Sequence, residues 1–330
     1  MRTTAPLPED LQATPPATPI GLSRVGVARS AKAIRLRHNG DEQLFQAEVT
    51  CLVDLDPRQK GVHMSRFEEH VNEAIDAVVI GEALAVEDLA EHIALRIVES
   101  QRALRGEVVI RASWPVQRLT PVTRIPTQET FGLIGMAAAN GTVSRRLVGV
   151  TAQGMNACPC AQGLLRDHAE AALREDGFDD GEIARIVRLV PIATHNQRAR
   201  GTLYVGAPED AALRAETLLE IVEDAMSSEI YELLKRPDER YVVEKAHRRP
   251  RFVEDSVREM VRGVLDRYPS LPDDAFVLAH QENFETIHTH DVEAERSGTL
   301  GEIRRDLAEG AHVAHHTTLR EWLDGRVPAE

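Results

Sequence analysis

The stretch LFQAEVTCLVDL, residues 44–55, decides the fold class because its side chains alternate between apolar and polar. A period of two is typical of a β-strand with one buried face. The apolar positions that define this face are Phe45, Ala47, Val49, Cys51, Val53 and Leu55. We therefore expect a half-buried strand in a sheet that is covered by other elements on one side.

Two amphipathic helices are predicted after this strand. Ser65 and Glu68 have the spacing of a capping box, which makes Ser65 the expected N-cap of the first helix. Its apolar stripe consists of Phe67, Val71, Ala74, Ile75 and Val78. The stripe of the second helix consists of Val86, Leu89, Ile93 and Ile97. Stripes at this spacing indicate helices that pack one face against a core.

Further strands are predicted in the first half at about residues 107–116, 128–138 and 143–152. Asn140-Gly141 lies between the last two and is a dipeptide that suits a type I′ hairpin turn. The first half is therefore expected to run strand, strand, helix, helix, strand, strand.

The second half has related elements in a different order. We predict a helical hairpin at 163–189, a short strand at 201–205, a long helix at 210–234, another helix at 252–267 and a strand at 276–290. Antiparallel strands with helices on one face predict an α+β architecture.

The 330-residue length fits two domains, or one domain built from two similar halves. Residues 1–21 are rich in Pro, Thr and Ala, so we expect a flexible N-terminal arm. The first structural unit is expected at 22–153 and the second at 154–330, with the helical hairpin as an insertion. With 42% hydrophobic and 28% charged residues, the composition is that of an ordinary globular protein.

Charge and cysteine content narrow the class of function. The net charge of −14 disfavours a general nucleic-acid-binding surface, which needs basic residues to contact phosphates. No apolar run approaches the ~18 residues of a membrane span, and the N-terminus lacks the apolar core of a secretory signal. The three cysteines cannot form a fully paired disulfide framework, so we expect a cytoplasmic protein in a reducing compartment.

The segment GMNACPCAQ places Cys158 and Cys160 on either side of Pro159, directly after a predicted strand. Because proline removes a backbone donor, this segment is expected to form a turn. Two cysteines are too few for a structural zinc site, which has four protein ligands. One of them remains a candidate ligand in an open, catalytic metal site, and a pair of small apolar side chains is the alternative.

His195 lies in the polar segment THNQR and is a candidate for metal binding or proton transfer. Glu229 lies on the apolar stripe of the predicted long helix, four residues after Ala225 and four before Leu233. A carboxylate that faces a core needs a partner, because burying it alone costs several kcal/mol. A metal ion or a cationic side chain would provide one, and a side chain that reaches water is the alternative.

The stretch QENFETIHTHD contains two further candidates for acid/base chemistry, Glu285 and His288. In a straight strand these two side chains point to opposite faces, so they serve one site only if the strand bulges or ends there. Glu244, in YVVEKAH, is by itself expected to be a surface residue. The tail AHVAHHTTLR, with three histidines, is expected to be an incidental metal-binding face.

The segment KGVHMSRF places basic and polar side chains where a strand passes into a helix. Backbone N–H groups at a helix start, together with Lys and Arg, favour a bound phosphate. The candidates in this segment are Lys60, His63, Ser65 and Arg66.

These stretches, in this order, resemble the type IB GTP cyclohydrolase family, prokaryotic enzymes that begin pterin synthesis and are related to an archaeal Fe(II)-dependent GTP cyclohydrolase. The matching segments are KGVHMSRF (60–67), GMNACPCAQ (154–162), THNQR (194–198), SSEIYELLKRPDE (227–239), VEKAH with PRFVED (243–255) and NFETIHTHD (283–291). The resemblance implies a tunnelling fold, with tandem units of antiparallel sheet and paired helices on one face. It also implies a homotetramer with active sites at subunit interfaces.

The resemblance assigns roles to individual residues. Cys158, His195 and Glu229 correspond to the metal-binding residues of the family, and Mn²⁺, Fe²⁺ or Mg²⁺ is favoured over Zn²⁺. The residues that match its catalytic groups are Cys158, Cys160, His195, Glu285 and His288. Glu244 resembles the acidic residue that anchors the guanine edge. The cationic and polar candidates for holding the rest of GTP are Lys60, His63, Ser65, Arg66, Arg198, Lys235 and Arg236.

By this resemblance the chain converts GTP and water to 7,8-dihydroneopterin triphosphate and formate, which is the first step of tetrahydrofolate synthesis. The reaction is expected to proceed through attack of a metal-activated water at guanine C8. The product of the archaeal relatives, a 2′,3′-cyclic phosphate, is the alternative product. It is kept because a long segment, residues 161–194, separates Cys160 from His195, which resembles the archaeal enzymes. A nitrile reductase of queuosine synthesis, with a catalytic cysteine and NADPH, is a second enzyme class on this fold. A purine-binding module without turnover is the non-enzymatic alternative.

Overall fold

The computed structural model describes residues 11–38, 41–80, 85–141, 143–207, 213–310 and 313–326. Its strands are β1 (Leu22–His38), β2 (Asp41–Leu55), β3 (Gly106–Leu119), β4 (Pro126–Ala139), β5 (Ser144–Ala157), β6 (Asn196–Gly206), β7 (Ser228–Glu229), β8 (Phe276–Phe284) and β9 (Val292–Thr299). Hydrogen-bonded neighbours follow the order β1-β2-β3-β4-β5-β6-β8-β9, and β7 pairs with β5.

The helices are α1 (Met64–Ile80), α2 (Val86–Gln101), α3 (Pro159–Glu175), α4 (Asp180–Leu189), α5 (Ala215–Ala225), α6 (Arg236–Arg248), α7 (Val253–Arg267), α8 (Leu300–Glu309) and α9 (Leu319–Leu323). A short 3₁₀ helix covers Leu11–Ala13. Because helices accompany an antiparallel sheet, the predicted α+β class is confirmed. Among the described residues, no helix has the length and apolar character that crossing a bilayer requires.

The chain divides into two compact units. The first comprises residues 1–112, 134–147 and 320–330, and the second comprises 113–133 and 148–319. The predicted boundary after residue 153 differs from this division. The reason is that β3, β4 and β5 are long strands that each contribute residues to both units, while most of α9 returns to the first unit.

In the first unit, β2 is central to the antiparallel set β1-β2-β3, with Val49 opposite Ile110. The alternation in residues 44–55 predicts its buried face correctly, since Phe45 and Val49 are 2% and 1% exposed. The stripes of α1 and α2 bury Phe67 and Ile93 completely. Each such side chain contributes about 1.5–3 kcal/mol through removal of apolar surface from water.

Three local predictions in the first unit need correction. Helix α1 begins at Met64, so Ser65 lies inside its first turn and does not cap it. The turn between β4 and β5 was predicted on the dipeptide Asn140-Gly141, but only Gly141, with φ of +77°, has the backbone conformation of such a turn. Asn140 flanks the turn, and its side chain accepts a hydrogen bond from Val143 N. The second half of the predicted arm is held in place, because Gln12 O accepts hydrogen bonds from the N–H groups of Lys60 and Gly61. Residues 1–10 lie outside the described residues.

In the second unit, β6, β8 and β9 form antiparallel pairs that are covered by α5 and α7. The helical hairpin is confirmed as α3 and α4, and α7 begins one residue after the predicted start at Phe252. Strand β8 ends at Phe284 and not at His290. This early end matters for the site because Glu285 and His288 follow it on a non-strand segment.

The predicted long helix at 210–234 is wrong beyond Ala225, and its residues 210–212 lie outside the described residues. Helix α5 ends because Ser227 N donates to Asn156 Oδ1 at 2.9 Å, which competes with helix continuation. Residues 228–229 then pair with β5, and Glu229 lies opposite Gly154. Glu229 is therefore a strand residue, and its position on a helical stripe is an accident of spacing.

The YVVEKAH segment, residues 241–247, belongs to helix α6. The start of this helix is fixed by Asp238, whose side chain is completely buried. Its carboxylate accepts hydrogen bonds from Val122 N and Thr123 N, both at 2.8 Å, from Thr123 Oγ1 at 2.6 Å and from Lys235 N at 3.0 Å. Burial alone would raise the pKa of Asp238, but these donors lower it from 3.8 to about 2.

This lowered pKa predicts a specific acid sensitivity of the fold. A carboxyl whose pKa is lower in the folded state stabilises that state above its unfolded-state pKa, and the contribution is lost as the pH falls through the folded-state value. We expect the Asp238 contribution to disappear between about pH 3.8 and pH 2. Asp238→Asn should unfold at a lower temperature near neutral pH and show a smaller loss between these pH values in circular dichroism melts. Glu239→Gln, at an exposed neighbouring position, is the control and should retain the wild-type pH dependence.

Candidate active site

A cavity of about 470 Å³ in the second unit gathers chemistry-bearing side chains from distant parts of the sequence. Its lining residues are Cys158, His195, Gln197, Arg251, Phe252, Val253, Glu254, Asn283, Glu285, His288, His290, Val292 and Glu293. The structure therefore brings together four of the residues predicted from sequence: Cys158, His195, Glu285 and His288.

Cys158 is the N-cap of α3, and Pro159 occupies the first helical position, where a missing N–H costs nothing. Its Sγ accepts a hydrogen bond from Ala161 N at 3.5 Å. The sulfur thus faces the positive end of the helix dipole, an environment that suits a nucleophile or a metal ligand. Two hydrogen bonds fix its backbone, from Cys158 N to His195 O at 3.1 Å and from Thr194 Oγ1 to Cys158 O at 2.8 Å.

His195 and Glu285 form a mostly buried pair beside this thiol, with side chains 13% and 8% exposed. His195 Nδ1 lies 3.8 Å from Glu285 Oε2, which is too long for a direct hydrogen bond. Gln197 bridges them, since its Oε1 lies 3.1 Å from His195 Nδ1 and its Nε2 donates to Glu285 Oε1 at 3.0 Å. Glu285 Oε2 is buried and has no hydrogen-bond partner among the described residues.

The end of β8 at Phe284 permits Glu285 and His288 to line one cavity, which a continuous strand would prevent. The segment after β8 turns through a hydrogen bond from Glu285 N to Asp291 Oδ1 at 3.1 Å. His288 is exposed and stacks on His290, with ring centroids 5.1 Å apart. The predicted extension of the strand to His290 is therefore wrong, and the condition under which Glu285 and His288 can serve one site is met.

A buried polar network lies under the cavity and sets the position of the chain before Cys158. Asn156 Nδ2 donates to Ser256 Oγ at 3.1 Å and to Asn283 Oδ1 at 3.0 Å. Ser227 Oγ accepts from Ala157 N at 3.1 Å. These contacts connect β5, α7 and β8, so the cysteine turn is held by three separate elements.

Glu229 has partners that differ from the predicted metal. Its carboxylate forms an ion pair with Lys245 Nζ and accepts a hydrogen bond from Tyr231 Oη at 3.1 Å. Burial raises the pKa of Glu229, but the hydrogen bond and charge of Lys245, together with the hydrogen bonds from the backbone and from Tyr231, outweigh it, so the net pKa is lowered. Burial and the Glu229 charge raise the pKa of Tyr231. The cationic partner that was the alternative to a metal is therefore present, and Glu229 does not line the cavity.

The donor set in the cavity fits a first-row divalent ion only in part. A sulfur, an imidazole and a carboxylate with an unpartnered buried oxygen are suitable ligand types. However, no three His, Cys, Asp or Glu side chains among the described residues converge closely enough to hold a metal ion. The predicted set Cys158, His195 and Glu229 is not assembled within this part of one chain.

The other predicted residues lie outside the cavity. Cys160 is exposed on the first turn of α3, and Arg198 is exposed on β6 and donates to Gln153 Oε1 at 3.3 Å. Glu244 forms an ion pair with Arg248 one helical turn later and is 44% exposed, as expected for a surface residue. The four residues of the KGVHMSRF segment belong to the first unit, at or just before the start of α1. His312 lies outside the described residues.

Comparison with known proteins identifies the family to which this chain belongs. The sequence model described as "Type I GTP cyclohydrolase folE2" matches residues 9–294. The chain belongs to this GTP cyclohydrolase family. It is 40% identical over 305 residues to "GTP cyclohydrolase MptA" of Methanococcus aeolicus, covering 90% of this chain and 99% of the relative. It is 39% identical over 306 residues to the protein of that name from Methanothermobacter thermautotrophicus, covering 91% and 96%.

Membership of a GTP cyclohydrolase family is therefore confirmed, but the predicted type IB is not, since both relatives are of the archaeal MptA type. The solved structures support the fold. Uricase from Arthrobacter globiformis superposes with a TM-score of 0.53 at 10% identity, covering 90% of this chain and 97% of that chain. A thermostable mutant of AgUricase gives 0.53 at 9% identity, with 92% and 96% covered. At such identity the likeness concerns the fold alone, and it confirms the predicted tunnelling fold of this GTP cyclohydrolase family member.

Gln197 and Arg251 are among the cavity residues of this cyclohydrolase family member that the sequence did not predict. Both lie inside segments that carried the resemblance, THNQR and PRFVED. Arg251 N donates to Ala157 O at 3.0 Å, and its guanidinium is 3.2 Å from Glu259. The available signal was position within a motif, but the sequence around this glutamine and this arginine has no pattern that distinguishes a cavity position from a solvent-exposed one.

Proposed function

We propose that this protein converts GTP and water to 7,8-dihydroneopterin triphosphate and formate. The observation that carries the proposal is the cavity in which Cys158, His195, Glu285 and His288 meet, in a chain of the GTP cyclohydrolase family. Opening the guanine imidazole ring requires water to add at C8 and protons to move to the ring nitrogens. A cavity with a thiol, two imidazoles and a carboxylate supplies acids and bases for these transfers near neutral pH.

Each group has a distinct task in this proposal. Glu285 Oε2, which is buried without a described partner, accepts a hydrogen bond from the attacking water or from a guanine N–H. His195 offers the lone pair of Nε2, which holds either a proton or the proposed metal ion but not both at once. Cys158 holds its sulfur at the helix start, where negative charge that develops during the reaction is stabilised. His288 is exposed at the mouth of the cavity and exchanges protons with solvent.

We also propose a divalent metal ion at this site, with Mn²⁺, Fe²⁺ or Mg²⁺ favoured over Zn²⁺. Cys158 and His195 are the residues that would hold it, because they line one cavity and offer sulfur and nitrogen donors. The chemistry that such an ion supplies when bound is the acidification of a water molecule. The further ligand has to come from substrate, water or a second copy of the chain, which fits the proposed homotetramer with active sites between subunits.

The triphosphate of GTP needs cations within an acidic protein. The candidates are those that the resemblance supplied, namely Lys60, His63, Ser65 and Arg66 in the first unit and Arg198, Lys235 and Arg236 in the second. Arg198, Lys235 and Arg236 are exposed, as a phosphate-binding role across a subunit boundary requires. Light scattering on the purified protein tests the proposed tetramer.

A second product is favoured by a specific observation, the 40% identity to an MptA protein. On this alternative the ring-opening chemistry is the same, and the product is 7,8-dihydroneopterin 2′,3′-cyclic phosphate. Mass spectrometry separates the two because the cyclic phosphate has lost diphosphate. The linear product would support the main proposal, and the cyclic product would replace it without changing the cyclohydrolase chemistry.

Incubation with GTP and Mn²⁺ or Fe²⁺ under reducing conditions tests the proposed activity. We expect formate and, after oxidation, a fluorescent neopterin. A nitrile reductase would instead consume NADPH with a deazaguanine nitrile and need no metal. A binding module would bind GTP equally well with and without Cys158 and release no formate.

Glu244 is proposed to anchor the guanine edge, with its carboxylate accepting hydrogen bonds from the ring N–H and the exocyclic amine. We expect Glu244→Ala to raise KM for GTP by about tenfold or more, because a site built for hydrogen bonds loses both partners at once. Its kcat should change less. Glu239→Ala, an exposed carboxylate on the same helix, is the matched control. Unchanged rates at low GTP in the Glu244→Ala protein would remove the anchoring role.

A further inference from the structure

Gln197 occupies a position that the proposed mechanism does not use. It lies on β6, is 4% exposed and contacts both members of the buried pair. Its Oε1 is 3.1 Å from His195 Nδ1, and its Nε2 is 3.0 Å from Glu285 Oε1. A single amide side chain thus connects the two groups to which proton transfer is assigned.

The chemistry of these partners fixes the orientation of the amide. An ionised carboxylate has no hydrogen to donate, so only the NH₂ end of Gln197 can face Glu285. The amide oxygen must then face His195. Because an amide oxygen only accepts hydrogen bonds, His195 Nδ1 must carry a hydrogen. The carboxylate of Glu285 therefore determines, through Gln197, which imidazole nitrogen is protonated.

When the imidazole is neutral, a hydrogen on Nδ1 leaves the lone pair on Nε2, and the structure gives this atom no hydrogen-bond partner among the described residues. Nε2 is thereby available to accept a proton or to bind a metal ion. The same bridge uses Glu285 Oε1, which leaves the buried Oε2 free to accept a hydrogen bond from a ligand. Gln197 thus leaves one acceptor atom available on each partner, Nε2 of His195 and Oε2 of Glu285.

We propose that Gln197 is a positioning residue that holds His195 as the Nδ1–H tautomer and holds Glu285 in the rotamer that presents Oε2. Ligand histidines in metal sites depend on a partner at the second ring nitrogen in the same way, and loss of such a partner typically costs about 10–100-fold in affinity or activity. The effect on turnover rests on the proposed function. The tautomer does not, because it follows from the contacts of Gln197 alone.

The test is ¹⁵N NMR of the full chain labelled at histidine nitrogen, without added metal or GTP and at one pH above neutrality. The signal of His195 is identified by its loss in His195→Gln. We expect the wild type to show a protonated Nδ1 and an unprotonated Nε2. Gln197→Met, similar in size but with no amide, should lose this preference. Gln197→Glu keeps an acceptor toward Nδ1 and should retain the tautomer.

Steady-state kinetics on the same proteins gives the second measurement. Gln197→Met should lower kcat by about 10–100-fold with little change in KM. Gln128→Met, at an exposed position on β4, is the matched control and should match wild type in both measurements. A wild-type His195 protonated at Nε2, or a tautomer that persists in Gln197→Met, would overturn the inference. The predicted tautomers together with absent turnover in wild type would leave the inference standing and reject the proposed function.

Discussion

Cys158→Ala is expected to lower kcat by at least about 10²–10⁴-fold while the protein remains folded. The sulfur is the N-cap atom of α3 and lines the cavity with His195 and Glu285, so its removal deletes a group at the centre of the proposed chemistry. It also removes one of the two proposed metal donors. Bound metal, measured by elemental analysis after loading with Mn²⁺ or Fe²⁺, should therefore fall together with turnover.

Cys51→Ala is the matched control for this change. Cys51 is 1% exposed and packs in the core of the first unit, where burial raises the pKa of its thiol to about 12. Loss of this sulfur should cost some stability and leave kcat and metal content unchanged. Full turnover in the Cys158→Ala protein would contradict the proposed mechanism, whatever happens to the metal.

Glu229→Ala is expected to destabilise the fold by on the order of 3 kcal/mol, because it leaves the Lys245 ammonium in a buried position without its counter-charge. The two side chains are only 12% and 24% exposed, and Tyr231 loses an acceptor at the same time. Urea unfolding followed by circular dichroism measures the change. Metal content at full folding should stay close to that of wild type.

The double variant Glu229→Gln with Lys245→Met separates an ion pair from a metal ligand. If the pair is the main role of Glu229, the double variant should be less destabilised than the two single changes predict when added together. The sequence-based alternative, in which Glu229 binds the metal, predicts lost metal content with little change in stability. That result would restore Glu229 to the metal site and would require a partner subunit to complete it.

Glu229 also shows where sequence reasoning failed. Its spacing from Ala225 matched a helical stripe, but the stripe says nothing about Asn156, which lies far away in sequence and binds Ser227 N where the helix ends. Lys245, 16 residues after Glu229, also lies beyond the reach of a local pattern. Long-range partners of this kind decide both the end of a helix and the charge state of a buried group, and no local pattern contains them.

The features that were predictable depend on local periodicity. The alternation of residues 44–55 identified the buried face of β2, and the stripe on Phe67 and Ile93 identified the faces of α1 and α2. The motif order identified the GTP cyclohydrolase family. Element ends were less predictable, since α1 starts at Met64 before the expected cap and β8 stops at Phe284.

The candidate site was predictable in its chemistry but only partly in its geometry. Cys158, His195, Glu285 and His288 were chosen for residue type and motif, and they do line one cavity. Gln197 was missed because its importance lies in two contacts to side chains, one of them with Glu285, which directly follows β8, the strand that pairs with β6. A glutamine acquires such a role only when the fold brings two titratable groups to its two ends.

The most direct measurement of the central claim follows the carbon atom that the reaction removes. GTP labelled with ¹³C at C8 is incubated with the Mn²⁺- or Fe²⁺-loaded protein under reducing conditions, and ¹³C NMR records the products. We expect one labelled formate for each GTP consumed, and far slower formation of labelled formate by the Cys158→Ala protein. GTP that is unchanged, or that loses phosphate while the label stays in the guanine ring, would contradict the proposed cyclohydrolase activity.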